Sequence, residues 1–241
     1  MVISVIIPAF NEEAYLGETL TSLHQAKDLL QREADVAAEI IVVDNNSDDG
    51  TVGTASALGV IVINEPLRNI ARVRNSGAKA ARGDVLVFID ADTIVPANLL
   101  TRIAQVMLDN SCLGGALDTD YRPTKLAVRI YLQIWRIVGR AAGMAQGATQ
   151  FCRRDAFFQL NGYDETLFMG EDVDFFWRLK RLAKRNRGRV SFVDDIKVIP
   201  STRRFDSWRL WRTLVWTNPL FVFLFRRNKN QWQGWYTAMP R

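Results

Sequence analysis

The stretch Asp84 to Thr93, DVLVFIDADT, decides how the rest of the chain is read. Five consecutive apolar residues, Val85 to Ile89, run straight into two carboxylates separated by one small residue, Asp90-Ala91-Asp92. A short, continuous apolar run of this kind is the pattern of a strand buried on both faces, as in a parallel sheet covered by helices. Paired acids at the end of such a strand are costly to desolvate unless positive charge meets them.

The flanking sequence repeats the pattern. ISVIIP (Ile3 to Pro8) reads as a strand, followed by a helix from about Glu12 to Ala26 with Leu16, Leu20 and Leu23 on one face. Two further strands are expected at Glu39 to Asp44 and Val60 to Ile63, with an alanine-rich helical segment from Asn69 to a glycine stop at Gly83. Strand–helix alternation predicts an α/β fold, a Rossmann-like, mainly parallel central sheet with helices on both faces. Ligands of such sheets gather beyond the carboxyl ends of the strands. Three strand ends carry polar residues there: PAFNE (Pro8 to Glu12), DNNSDDGT (Asp44 to Thr51) and Asp90-Ala91-Asp92.

From about Leu113 the alternation is lost. A helix is expected over Lys125 to Ala142, then the segment GMAQGATQFCRRDAF, a helix opening at Glu171-Asp172, and a last strand in RVSFVDD. Beyond Pro200 the chain is aromatic and basic, and its apolar stretch of about a dozen residues is short of the roughly 20 that a spanning helix needs.

The 241 residues suffice for one large α/β domain. The net charge of +5 is concentrated in LKRLAKRNRGR, STRRFDSWRLWR and FRRNKN, which suits phosphate-rich or anionic-surface partners. Cys112 and Cys152 lack metal-type spacing and are expected as buried thiols in a reduced compartment, with a disulfide as the lesser alternative. The N-terminus, MVISVIIPAFNEE, has neither the basic start nor the apolar length of a signal peptide, so a cytoplasmic location is expected. The single histidine, His24, lies in a helical pattern away from the acids, so acid–base chemistry falls to carboxylates.

Each motif has a chemical and a plain reading. Asp92 is placed to ligate a divalent cation shared with a diphosphate, with Asp90 on the ribose or a metal-bound water; alternatively Asp92 caps the helix beginning near Pro96. Asp44 is placed to accept a nucleobase N–H, whereas Asn45 to Gly50 is good turn chemistry. Arg74 can grip phosphate oxygens, while Lys79 and Arg82 suit helix solvation. Glu171 and Asp172 favour the positive end of a helix dipole, and Asp172 is also a candidate to deprotonate an acceptor hydroxyl.

In this order and spacing, ISVIIPAFNEE, EIIVVDNNSDDGT, ARVRNSGAKAARGDVLVFIDADT and NGYDETLFMGEDVDFFWRLKR resemble the family 2 glycosyltransferases of the GT-A fold, over about Ile3 to Lys180. The resemblance implies a metal-assisted transfer from a nucleotide sugar to an acceptor hydroxyl with inversion at the anomeric carbon. It puts Pro8, Phe10, Glu12 and Asp44 around the nucleoside and Arg74 near the diphosphate. Asp90-Ala91-Asp92 becomes the DxD-type motif, with Asp92 on Mn²⁺ or Mg²⁺. Glu171-Asp172 matches the family's ED motif, with Asp172 as the base, and Gly147 and Ala148 become candidate neighbours of the sugar on the acceptor side. Some relatives add a histidine metal ligand near the position of IPSTRR, and this chain has none there.

The domain is expected over residues 1–200, divided into a nucleotide-sugar-binding half (1–112) and an acceptor half (113–200), with a basic aromatic extension over 201–241. A UDP-sugar donor is favoured, the acceptor being a sugar or a lipid-linked molecule. The aromatic residues Trp208, Trp211, Trp216, Phe221, Phe223 and Phe225 among arginines suit either an anionic membrane at the inner face of the cell membrane or packing on the domain or in a homodimer. No nucleic-acid partner is expected. A sugar-nucleotide nucleotidyltransferase or a dinucleotide-dependent oxidoreductase would call for a glycine-rich phosphate loop after the first strand, and PAFNEE offers none. A non-catalytic sugar-nucleotide-binding module is the remaining alternative.

Overall fold

The computed structural model describes residues 1–145 and 149–232. The first half alternates strictly: β1 (Val2–Ala9), α1 (Glu13–Ala34), β2 (Ala37–Asp44), α2 (Thr51–Ala57), β3 (Ile61–Asn64), α3 (Ile70–Ala80) and β4 (Val85–Ile89). The first helix runs further than the leucine pattern suggested, because Leu30 continues its buried stripe. It stops at Asp35, which adopts a left-handed conformation (φ 50°).

Then follow β5 (Thr93–Ile94), α4 (Leu99–Met107), β6 (Cys112–Thr119), α5 (Leu126–Ala141), β7 (Thr149–Arg153), α6 (Arg154–Gln159), α7 (Glu171–Arg185) and β8 (Arg189–Pro200). Three short helices, α8 (Arg203–Ser207), α9 (Leu210–Trp216) and α10 (Pro219–Phe225), make up the described part of the extension. Two of these strands, β6 and β7, carry no strand signal in the sequence.

The sheet order is β3-β2-β1-β4-β7-β6-β8-β5. β1 pairs in parallel with both β2 and β4, and β2 with β3. β7 is antiparallel to β4 and β6, β6 and β8 are parallel, and β5 closes the far edge antiparallel to β8. Both faces are buried. Ile3, Val5 and Ile7 join the core under α1 and α4, whereas Ile6, Ile41 and Val43 join the core with Ala71, Phe157 and Phe175 from α3, α6 and α7. All five side chains of β4 are buried, each worth roughly 1.5–3 kcal/mol against exposure.

The order of the first four strands positions the site. From β1 the chain goes to β2 on one side, yet β3 returns across β1 to β4 on the other, so a crevice opens between the carboxyl ends of β1 and β4. PAFNE leaves β1 there, and Asp90-Ala91-Asp92 leaves β4. Both cysteines are buried and free, on β6 and β7. His24 lies on α1 with Nε2 3.1 Å from the Leu58 carbonyl, well outside the crevice.

Candidate active site

A cavity of about 760 Å³ fills the crevice. Pro8, Phe10 and Glu12 line it from β1, Asp90, Ala91 and Asp92 from β4, and Glu171 and Asp172 from α7. With Arg74 of α3, which also lines it, nine expected site residues share one space. Gly147 and Ala148 lie outside the described residues.

The loops that follow β1 and β2 are tied together. Asn11 adopts a left-handed conformation (φ 53°), which asparagine tolerates, and its backbone N–H donates to Ser47 Oγ at 3.0 Å while its Oδ1 accepts from the Asp48 N–H at 2.9 Å. The DNNSDDGT segment is thus a turn braced against PAFNE. Asp44 is buried at the end of β2, its carboxylate 3.3 Å from the Ser47 N–H and 3.3 Å from Asn64 Nδ2. The cavity wall at this point is Asn45, not Asp44. Arg68 lies 4.0 Å over the Phe10 ring, making a flat, cationic patch beside Pro8.

Asp92 does not cap α4. The residue before that helix is Asn98, which makes no side-chain cap, and the Asp92 carbonyl instead accepts from the Ser201 N–H at 2.9 Å. Ala91 is buried, its carbonyl accepting from Thr19 Oγ1 at 2.8 Å. The two flanking acids are thereby turned into the crevice by backbone bonds on either side.

Arg74 reaches the rim from α3, but both terminal nitrogens are engaged. Nη1 donates to Glu171 Oε1 at 2.6 Å and Nη2 to Asp90 Oδ1 at 2.8 Å, on a side chain only 3% exposed. Burial opposes its charge, and Asp90 and Glu171 outweigh burial, so its pKa is raised. Arg74 thus locks two carboxylates together with its terminal nitrogens, while its Nε is buried without a hydrogen-bond partner.

Gly170, at φ 74°, supplies the left-handed turn that a side chain would resist and starts α7 with Glu171-Asp172. Asp172 Oδ1 accepts from the Val173 N–H at 2.7 Å, and its backbone carbonyl accepts from Gln150 Nε2 of β7 at 3.1 Å. Loss of hydration, then Glu171, pushes the Asp172 carboxyl up to about 7 against the pull of Arg74. The same cause, with Asp90 adding repulsion, lifts Asp92 to about 6. Glu12 is raised to about 7, mainly by burial, although Arg203 opposes the shift.

Arg203 was missed in the sequence reading, where STRRF was one basic run among several. It meets Glu12 and Asp92 from the extension. Tyr121 was missed too; burial and then the charges of Asp90, Asp92 and Asp172 raise its phenol.

The extension packs on the domain. Trp208 is buried and stacks edge-on with Trp216 at 5.6 Å, and the Phe168 N–H donates to the Arg226 carbonyl at 2.7 Å. Tyr131 of α5 and Thr217 share a hydrogen bond of 2.7 Å. Trp135, Trp216 and Phe223 add apolar surface to the lining of the cavity.

A divalent cation fits this donor set. Glu12, Asp90, Asp92, Glu171 and Asp172 line one cavity, five carboxylates against the two guanidinium groups of Arg74 and Arg203 that pair with them. Among the described residues no group of three or more metal-ligating side chains assembles, so Asp92 would share the ion with a diphosphate and water.

A sheet whose strand order reverses at β1, with paired acids leaving β4 and a second acidic pair opening α7, has the GT-A fold. The sequence model of glycosyl transferase family 2 matches residues 4–160, and the chain belongs to that family. It is 34% identical over 133 residues to a dolichol-phosphate mannosyltransferase of Mycosarcoma maydis, covering 49% of this chain and 45% of that protein. Two solved structures share the fold. A mannosyltransferase of Pyrobaculum calidifontis in complex with GDP-Man and Mn²⁺ has a TM-score of 0.68 and 20% identity, covering 87% of this chain and 59% of that one. S. aureus TarS 1–349 in complex with UDP-GlcNAc has a TM-score of 0.63 and 21% identity, covering 83% and 59%. The chain spans 25–61% of the length of three curated relatives it matches.

Proposed function

We propose that this chain is a metal-dependent, inverting glycosyltransferase that moves a sugar from a nucleoside-diphosphate donor to an acceptor hydroxyl, with Asp172 as general base. The observation that carries this reading is that the strand ends of the donor half and the acids of α7 face one cavity. Pro8, Phe10 and the Asp44–Asn45 turn take the nucleoside, with Glu12 beside it. Asp90 and Ala91 line the path of the diphosphate, and Arg74 fixes Asp90 against Glu171. Mn²⁺ or Mg²⁺ on Asp92 would neutralise charge building on the departing diphosphate.

Asp172 removes the acceptor proton as the new bond to the anomeric carbon forms and the bond to the diphosphate oxygen breaks. A carboxyl poised near 7 suits that task better than an ordinary aspartate, since transfer is most efficient when base strength matches the working pH. A UDP-sugar is the donor we favour, with GDP the alternative; the two solved relatives carry one of each. The apolar cavity wall and the bare apolar face of α5 support a lipid-linked acceptor met at an anionic membrane surface. No helix among the described residues is long and apolar enough to cross a membrane.

Calorimetric titration of UDP and of GDP, with and without Mn²⁺, into the chain and its Asp92→Ala variant tests the donor site. Metal-dependent binding lost in the variant supports it, and failure of both nucleotides and of dTDP overturns it.

A further inference from the structure

Arg203, the first residue of α8, stands where a cation is needed. Its Nη2 donates to Glu12 Oε1 at 2.5 Å and Oε2 at 2.6 Å, and lies 3.4 Å from Asp92 Oδ2. The guanidinium sits 4.2 Å over the Tyr15 ring, and the side chain is 8% exposed. One nitrogen therefore serves both carboxylates. The other two, Nε and Nη1, are buried without a hydrogen-bond partner on a side chain that lines the cavity. Buried donors are ordinarily satisfied, so an acceptor-rich group is missing from their surroundings. A diphosphate is such a group, and a guanidinium fork matches its oxygens.

The backbone around Arg203 is already fixed. Thr93 pairs with Pro200 across β5 and β8, and the Ser201 N–H is bonded to the Asp92 carbonyl. The arginine can therefore leave Glu12 and Asp92 by turning its side chain, with the strand end held. A divalent ion and a guanidinium cannot both sit against Asp92 Oδ2, because two positive centres that close repel strongly in partly dry surroundings.

We propose that Arg203 is an internal counter-cation of the donor site. A nucleoside diphosphate draws its guanidinium off Glu12 and Asp92, so that a divalent ion binds Asp92 tightly only together with the nucleotide. The proposal rests on the donor-site reading above. Arg203 is in this account a positioning residue that couples two ligands, and its effect is read in binding rather than turnover.

The test is titration of the full chain with Mn²⁺, following free ion by electron paramagnetic resonance, for the wild type, Arg203→Ala and Arg203→Lys, each with and without UDP or GDP. Without nucleotide, Arg203→Ala is expected to bind Mn²⁺ at least about tenfold more tightly than wild type, the scale of one partly buried charge contact. Arg203→Lys, which keeps the charge, is expected to stay near wild type and guards against a folding artefact in the alanine variant. Nucleotide is expected to tighten Mn²⁺ binding in wild type far more than in Arg203→Ala. Equal Mn²⁺ affinity of all three proteins without nucleotide, with nucleotide still recruiting the ion, overturns the counter-cation role and leaves the donor site standing. Absence of Mn²⁺ binding in every protein even with nucleotide overturns both.

Discussion

Arg74 donates to Glu171 at 2.6 Å, joining the middle of α3 to the start of the acid-bearing helix α7 across 97 residues of sequence. The same guanidinium holds Asp90. Removing one partner from a buried ion pair strands the others, at a typical cost of about 3–5 kcal/mol. Arg74→Ala is therefore expected to lower the urea midpoint steeply. Arg74→Lys is expected to recover only part of the loss, since an ammonium cannot reproduce the fork. A midpoint unchanged in Arg74→Ala would show that the three groups are not coupled.

Asp172→Asn separates binding from chemistry. General-base catalysis contributes roughly 10²–10⁴-fold, so turnover is expected to fall by that factor while nucleotide affinity stays within about twofold. In the wild type, kcat should rise with pH through about 7, the range to which burial and Glu171 lift this carboxyl. A flat profile with an unimpaired Asn variant would remove Asp172 from the mechanism.

The same carboxyl has a stability consequence. Its folded pKa of about 7 lies above the ordinary 3.8, so between those values the folded chain holds a proton that the unfolded chain has released. Stability from this group is present at low pH and is lost as pH rises toward 7. Asp172→Asn is thus expected to melt above wild type at pH 8, with the gap closing toward pH 4. Melting curves of both proteins at the two pH values decide it, and a wild type that melts higher at pH 8 would contradict the assigned shift.

What could be read from sequence followed the range of the interactions. Asp90, Asp92, Glu171 and Asp172 were legible because each sits at the end of one periodic element, and the parallel half of the sheet was legible from its continuous apolar runs. Arg203 was not, because its contact with Glu12 spans 191 residues and no local pattern separates it from its basic neighbours. For Arg74 the sequence points to a diphosphate and not to Glu171, because a buried acidic partner on another helix leaves no mark in its own segment. Strand β6, CLGGALDT, was missed for a related reason. A Cβ at Gly114 would collide with the β7 backbone, and one at Gly115 with the Ser191 carbonyl of β8 and the Phe151 ring, so close strand approach selected residues with little strand preference.

Gly77 tests how tightly α3 is seated. A Cβ there would run into Ile6 Cγ2 and Val43 Cγ2, two buried side chains of the sheet face below. Gly77→Ala gains helix propensity of about 1 kcal/mol but meets a filled core, where overpacking costs about 1–3 kcal/mol. Because α3 carries Arg74, the expected result is lower stability together with weaker nucleotide binding. Unchanged binding in a destabilised variant would uncouple the seat of α3 from the site.

The last prediction concerns the face that α5 leaves uncovered. Leu126, Ile130, Ile134 and Ile137 recur at helical spacing on its exposed side, and Ile137 is 66% exposed. Trp211 and Leu224 of the extension are also exposed, and Thr217, which follows α9, is bonded to Tyr131 of α5. Arg129 interleaves with this stripe and Arg209 precedes Trp211, whereas Arg136 is paired with the buried Asp118 and Arg212 lies over the Trp208 and Trp216 rings. Apolar side chains bordered by arginines suit a helix lying in an anionic interface, where apolar burial and charge attraction add. The full chain is therefore expected to sediment with phosphatidylglycerol-containing vesicles and not with neutral phosphatidylcholine vesicles, and to be released by high salt. Ile130→Ser with Ile137→Ser should weaken vesicle binding by about tenfold or more, since each isoleucine contributes roughly 1.5–3 kcal/mol when fully buried. Nucleotide binding, on the other side of the cavity, should not change. A chain that ignores both vesicle types and instead forms a dimer broken by the same two substitutions would assign this face to a second copy of the protein.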